Sequence, residues 1–170
     1  MRAYVITGPA SCGKSTLVSH LSERGFFVVN EIARQVLLDG VFHPNEDPYL
    51  FQQEIARRQI IAERKMREVL PEVAFLDRGF YDQIGYCERT GVKELPREIR
   101  LDAHYDGAFV LDMLPDFEAD GVRVEADKEE VLRINEIIVR EYERRNIPII
   151  RVPVMPVHER AEFVISRVLV

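Results

Sequence analysis

Lys14 and Ser15 close the run Gly8-Pro9-Ala10-Ser11-Cys12-Gly13-Lys14-Ser15, whose residue types suit one kind of chemistry. The glycines let the backbone curl until successive N–H groups share a centre. The lysine adds a mobile positive charge, and the terminal hydroxyl is a hard oxygen ligand for Mg²⁺. A polyphosphate satisfies all three, and the spacing matches the phosphate-loop pattern G-x-x-x-x-G-K-[ST]. The surroundings agree. Ala3-Tyr4-Val5-Ile6 precedes the run as a strand would, and Leu17, Val18 and Leu21 follow it at helical spacing. The loop therefore joins a buried strand to a helix N-terminus, where the dipole favours an anion. Gly8, Ser11, Cys12, Gly13, Lys14, Ser15 and Thr16 are the expected nucleotide contacts. Lys14 would reach the β- and γ-phosphates, Ser15 would enter a Mg²⁺ shell, and Cys12 would act through its backbone alone.

Three more positions could act on a bound phosphate. Val73-Ala74-Phe75-Leu76 is a short apolar run ending in Asp77, the Walker B arrangement that holds Mg²⁺ directly or through water. Where ATPase motors carry a water-positioning Glu, the next residue here is Arg78. Transfer is thereby favoured over hydrolysis, because a guanidinium can fork onto a phosphate and stabilise its transition-state charge. Phe26-Phe27-Val28-Val29 ends in Asn30-Glu31, and Glu31 is the candidate base for an acceptor hydroxyl. Arg34, three residues on, either binds the acceptor or pairs with Glu31. Phe51-Gln52-Gln53 and the Phe80-Tyr81 and Tyr86 region are candidates for an acceptor pocket, an aromatic stack with an amide, Gln52, reading a base edge. The opposing expectation is core packing for Phe51 and exposure for Gln52 and Gln53.

Those groups need a scaffold, and a chain of 170 residues suffices for one domain. Strand patterns alternating with helical ones predict a parallel sheet covered on both faces. The strands fall before the phosphate loop, at 26–29, 73–76, 107–111 and 147–152. Helical patterns run to Gly40, from Phe51 to Leu70, through Tyr81 and Tyr86 to Gly91, from Pro96 to His104, from Val131 to Tyr142 and from Val157 to Val168. Residues 112–127, acidic and aperiodic, read as a lid-like loop. In such sheets the working groups gather beyond the strands' carboxyl ends, where the phosphate loop, Glu31 and Asp77-Arg78 all fall.

The formal charge of −6 argues against generic nucleic-acid binding, which needs a basic surface. The doublets Arg57-Arg58 and Arg144-Arg145 look basic, yet Glu54/Arg58, Glu63/Arg67, Glu136/Arg140 and Glu141/Arg145 are i,i+4 pairs, the pattern of solvated helix faces. Cys12 and Cys87 are expected to be reduced thiols. With no leader-like start and no membrane-length apolar run, a cytoplasmic protein is expected.

Taken together, Gly8 to Thr16, Val28-Val29-Asn30-Glu31-Ile32-Ala33-Arg34, Phe75-Leu76-Asp77-Arg78-Gly79 and Asp120-Gly121-Val122-Arg123 resemble the NadR-like AAA-domain family. That family includes a ribosylnicotinamide kinase module and is similar in architecture to nucleoside and nucleotide kinases. The resemblance implies a three-layer P-loop NTPase sandwich around a five-stranded parallel sheet, with ATP (or GTP) and Mg²⁺ bound. It also implies a carboxylate at Glu31 that serves as base or substrate ligand, an Asp-Arg element at Asp77-Arg78, and a lid arginine at Arg123. The expected activity is phosphoryl transfer to a small hydroxylated acceptor, a nucleoside or related metabolite. The alternatives are a nucleoside triphosphatase or nucleotide switch, and a kinase or ATPase working on nucleic-acid ends.

Overall fold

Along the first strand Ala3 and Val5 alternate with Tyr4 and Ile6, yet all four are buried, as a strand covered on both faces requires. The computed structural model describes residues 1–93, 95, 103–115 and 128–169. In chain order the elements are β1 (Arg2–Thr7), α1 (Lys14–Glu23), β2 (Phe27–Val29), α2 (Ile32–Asp39), α3 (Pro48–Val69), β3 (Val73–Asp77), α4 (Asp82–Thr90), β4 (Gly107–Leu111), α5 (Lys128–Glu143), β5 (Ile149–Val152) and α6 (Val157–Val168). The five strands form one parallel sheet in the order β2-β3-β1-β4-β5.

Side-chain alternation along the strands builds two apolar layers. Tyr4, Ile6, Phe75 and Phe109 meet Leu17, Leu21 and Val164 of α1 and α6. Ala3, Val5, Leu76 and Ala108 meet Met66, Ile138 and Tyr142 of α3 and α5 on the other face. Local chemistry sets the element ends. Asp47 caps α3 by accepting from the Leu50 N–H at 2.9 Å, with Pro48 at the first helical position, where its missing N–H costs nothing. The expected strand at 147–152 starts only at Ile149. The Ile147 N–H is taken by the Tyr142 carbonyl at 3.1 Å in the turn that ends α5, and Pro148 has no N–H to give. The expected helix from Pro96 to His104 and most of the expected lid, Arg123 included, lie outside the described residues. No described helix is long and apolar enough to cross a membrane.

The expectation of solvated helix faces fails at two acids, Glu63 and Glu141, the latter 7% exposed and held by Arg144 and Arg145. The Glu63/Arg67 spacing reads as a solvated face, but Glu63 is 0% exposed. Its Oε1 accepts from the Tyr105 hydroxyl at 2.6 Å and from Gln59 Nε2 at 3.0 Å, while Arg67 lies 3.5 Å from Oε2. The pair is a tie between α3 and the segment leading into β4, with only its arginine end near water. Glu54 keeps the expected arrangement: hydrogen bonds from Arg57 and Arg58 outweigh partial burial and lower its pKa to about 2.

Burial raises the Glu63 pKa above its ordinary 4.5, with the hydrogen bonds from Tyr105 and Gln59 and the charge of Arg67 opposing it. A carboxyl whose folded pKa lies above its unfolded one favours the fold most at low pH. That contribution is lost as pH climbs from the unfolded toward the folded value. Glu63→Gln, which cannot ionise, is therefore expected to gain on the wild type in urea melts run from about pH 4 to about pH 8. A stability difference constant across that range would refute the raised pKa.

Candidate active site

Strand register brings the working groups to one edge. Ile6 of β1 pairs with Asp77 of β3, and Leu76 of β3 pairs with Val29 of β2. The residues that follow, Gly8 to Gly13, Arg78, and Asn30-Glu31, therefore emerge side by side at the carboxyl end of the sheet. They border a cleft of about 330 Å³, walled by α2, α3 and α4. Its lining includes Gly13, Lys14, Ser15 and Thr16, then Glu31, Arg34, Gln52, Arg78, Asp82, Gln83, Tyr86 and Arg89. Lys14, Arg34, Arg78 and Arg89 outnumber Glu31 and Asp82, so the cleft is electropositive in an acidic chain.

Backbone conformation shapes the phosphate loop. Gly8, Ser11 and Gly13 have φ of 139°, 58° and 84°. A Cβ on Gly8 would lie 2.7 Å from the Leu111 carbonyl oxygen, so only glycine fits between the loop and β4. Lys14 is buried, its Nζ donating to the carbonyls of Gly8 at 3.2 Å and Pro9 at 2.7 Å. Cys12 is also buried, in the apolar layer under the loop, so its side chain does not face the cleft. Beneath Lys14, Asp77 is 2% exposed. Burial, then the charge of Glu31, raises its pKa; Lys14, a hydrogen bond from Ser15 and Arg78 lower it. Among the described residues its Oδ1 has no hydrogen-bond partner.

Asp82 organises the opposite wall. Its Oδ1 accepts from the Thr7 hydroxyl at 2.5 Å and from Arg78 Nη1 at 3.1 Å; its Oδ2 accepts from the Gly79 N–H at 3.0 Å and the Tyr142 hydroxyl at 2.6 Å. Burial raises the Tyr142 pKa far above its ordinary value, which keeps that hydroxyl a donor. Arg78 takes the left-handed φ of 68°, places Nε 3.4 Å from Glu31 Oε1, and rests 5.1 Å over the Tyr86 ring. Burial works against its charge, but Tyr86, Asp82, Glu31 and Asp77 outweigh that and hold it firmly protonated. Glu31 Oε2 lies 3.9 Å from Arg34, the expected i,i+3 ion pair, and Arg34 also faces the cleft.

Two expectations about the acceptor side are corrected. Tyr81 does not line the cleft. Its hydroxyl donates to the Ala103 carbonyl at 2.7 Å and its ring packs edge-on against Tyr105 and Tyr142, because its position just before α4 turns it toward the core. Phe80 and Tyr86 do face the cleft. Gln52, for which exposure was one reading, is 3% exposed, and Gln83 Nε2 donates to both its backbone and side-chain oxygens. Phe51 is core, with Ile32, Val36 and Ile55, and also touches the cleft.

Sequence reasoning passes over Asp82, Gln83 and Arg89. Asp82 stands four residues after Arg78, a spacing that could have flagged the pair.

A side chain at Gly79 would put its Cβ 2.7 Å from the Tyr142 hydroxyl, 2.8 Å from Val5 Cγ2 and 2.9 Å from the Tyr105 hydroxyl. Gly79→Ala is therefore expected to destabilise the chain by roughly 1–3 kcal/mol in urea unfolding. A change smaller than a few tenths of a kcal/mol would mean that this turn is not closely packed.

Residues 3–160 match a family described as an AAA domain. No functionally curated protein matches the chain by sequence. Among solved structures, a NadR protein bound to NR superposes with a TM-score of 0.75 at 18% identity, covering 98% of this chain and 50% of that one. A second NadR structure, with NAD and AMP-PNP, gives 0.74 at 18%, covering 99% and 50%. The chain thus spans about half the length of those proteins. Deoxyadenosine kinase from M. mycoides gives 0.65 at 14% identity, covering 98% of each chain. Thymidylate kinase from Ehrlichia chaffeensis gives 0.61 at 13%, covering 98% and 97%. At these identities the likeness is one of fold, that of P-loop nucleoside and nucleotide kinases. With the match running from β1 into α6, the chain belongs to this AAA-domain family.

Proposed function

We propose that this chain transfers the γ-phosphate of ATP to a hydroxyl of a small acceptor of the nucleoside class. The observation that carries the reading is Arg78, fixed by Asp82 beside Glu31 in the cleft that also receives the phosphate loop. A guanidinium so placed meets the transferred phosphate, and the adjacent carboxylate meets the acceptor hydroxyl. Glu31 takes the proton from that hydroxyl as its oxygen bonds to phosphorus, and the bond from phosphorus to the leaving nucleoside diphosphate breaks. Lys14 moves from its own loop's carbonyls to the phosphates. Arg78 bears the charge that spreads over the equatorial oxygens. GTP would fit the same loop.

The unpartnered Oδ1 of Asp77 and the adjacent Ser15 hydroxyl fit a Mg²⁺ ion, which takes few protein oxygens and completes its shell with phosphate and water. When bound, Mg²⁺ supplies charge neutralisation along the phosphates. The assignment of Arg123 to the transferred phosphate rests on its place in the sequence.

The acceptor end is lined by Phe51, Phe80 and Tyr86, which suit a planar ring, and by the Gln52/Gln83 pair. Gln83 Oε1 is buried without a hydrogen-bond partner among the described residues and is available to an N–H on the acceptor. The NadR and deoxyadenosine kinase neighbours, the first in complex with NR and the second with the product dCMP bound, support that class.

The decisive experiment supplies γ-labelled ATP and Mg²⁺ with a pool of nucleosides, cofactor precursors and sugars. Label is expected in a new metabolite, and Lys14→Ala should abolish it. Glu31→Gln should slow transfer by roughly 10²–10⁴-fold while nucleotide affinity stays unchanged. Label released only as inorganic phosphate, at a rate indifferent to the pool, would establish a triphosphatase or switch instead. Full turnover in Glu31→Gln would remove Glu31 from the chemistry. Once the acceptor is named, Gln83→Leu should raise its KM about ten-fold with little effect on the KM for ATP; unaltered acceptor KM would refute the contact.

A further inference from the structure

The mechanism above makes no use of Arg160, a charged side chain in the first turn of α6 that is only 5% exposed. Its Nε donates to the Met155 carbonyl at 2.9 Å and its Nη1 to the Cys12 carbonyl at 2.7 Å. Both acceptors are neutral. Among the described residues no carboxylate comes within ion-pair distance of it, whereas the other deeply buried arginine, Arg78, lies between Glu31 and Asp82. A buried guanidinium without a counter-ion is an expensive group to keep. Its place therefore calls for a reason.

Arg160 lies against the back of the phosphate loop. A Cβ on Gly13 would fall 3.1 Å from Nη1, so the guanidinium occupies the space that a side chain there would fill. A trans peptide points its C=O and N–H in opposite directions. The Cys12 carbonyl, held by Arg160, thus turns the Gly13 N–H the other way, toward the cleft that Gly13 lines.

We propose that Arg160 is a positioning residue for the nucleotide phosphates. It locks the Cys12–Gly13 peptide so that the Gly13 N–H faces the anion, and it leaves behind the loop a positive charge that the polyphosphate neutralises. The proposal rests on the reading of Gly8 to Ser15 as a nucleotide site. It adds to that loop a residue distant in sequence, donated by the helix after β5.

The test is calorimetric titration of the intact chain with AMP, ADP and a non-hydrolysable ATP analogue in Mg²⁺, using the wild type, Lys14→Ala, Arg160→Gln and Arg160→Lys. Arg160→Gln should weaken the triphosphate analogue about ten-fold or more, with the loss growing from AMP through ADP to the triphosphate. Arg160→Lys, which keeps the charge but not the planar fork, should fall between Arg160→Gln and the wild type. In thermal melts without nucleotide, Arg160→Gln should stay close to the wild type, because loss of an uncompensated buried charge offsets the lost hydrogen bonds. The rise in Tm that the analogue gives should shrink. Wild-type affinity in Arg160→Gln, or a loss equal for all three nucleotides with a lowered unliganded Tm, would reduce Arg160 to a packing residue and overturn the proposal. If Lys14→Ala loses binding while Arg160→Gln keeps it, the nucleotide reading stands and only this proposal falls. A wild type that binds no triphosphate overturns both.

Discussion

Four hydrogen bonds converge on the carboxylate of Asp82, and the edge of the sheet that carries the cleft depends on them. A buried charge costs several kcal/mol unless its lone pairs are met. Here β1 contributes Thr7, the turn after β3 contributes Arg78 and Gly79, and α5 contributes Tyr142. The same contacts hold Arg78 in a left-handed conformation, whose strain is of order 1–3 kcal/mol for a residue with a side chain. Three elements are thus tied to one residue at the start of α4, and the guanidinium has its orientation fixed before any ligand arrives. A second carboxylate, Glu63, supports the layer beneath through Tyr105, whose hydroxyl also accepts from the Phe80 N–H at 2.8 Å.

Much of this arrangement is legible in the sequence, and what is not has identifiable causes. The phosphate loop declares itself because its chemistry is local: glycines, lysine and hydroxyl lie within eight residues, between a strand and a helix. Glu31 and Asp77-Arg78 can be found because each follows an apolar strand. Asp82 cannot be found in that way, since its partners come from residues 7, 78, 79 and 142 and no periodicity links them. Glu63 is misleading: its i,i+4 arginine is the mark of a surface pair, and only the packing of α3 shows the glutamate end sealed. Tyr81 and Tyr86 look alike in the sequence, but one precedes α4 and turns inward while the other lies on the helix face toward the cleft. Arg160 was invisible because its role depends on α6 passing behind a loop almost 150 residues earlier.

Net charge and local charge also part company. The chain is acidic overall, yet its cleft gathers cations from α1, α2, the turn after β3 and α4. A parallel sheet makes this economical. Every strand delivers its carboxyl end to the same side, so charges remote in sequence add their fields at one place while acids elsewhere set the sign of the net charge. Arg89 extends the group to the far end of α4, where its Nε lies 2.9 Å from Glu130 at the start of α5.

The tyrosines beneath Arg78 give the protein an optical property. The chain has no tryptophan and six tyrosines, so its ultraviolet emission is tyrosine emission alone. Tyr81, Tyr105 and Tyr142 sit with ring centroids 5.8–6.1 Å apart, close enough to share excitation. Two of them rest their hydroxyls on carboxylates, Tyr142 on Asp82 and Tyr105 on Glu63, contacts that quench an excited phenol by drawing off its proton. A change in the Tyr142–Asp82 hydrogen bond would change that quenching. Because Asp82 also holds Arg78, the cluster would report on that carboxylate without any added label.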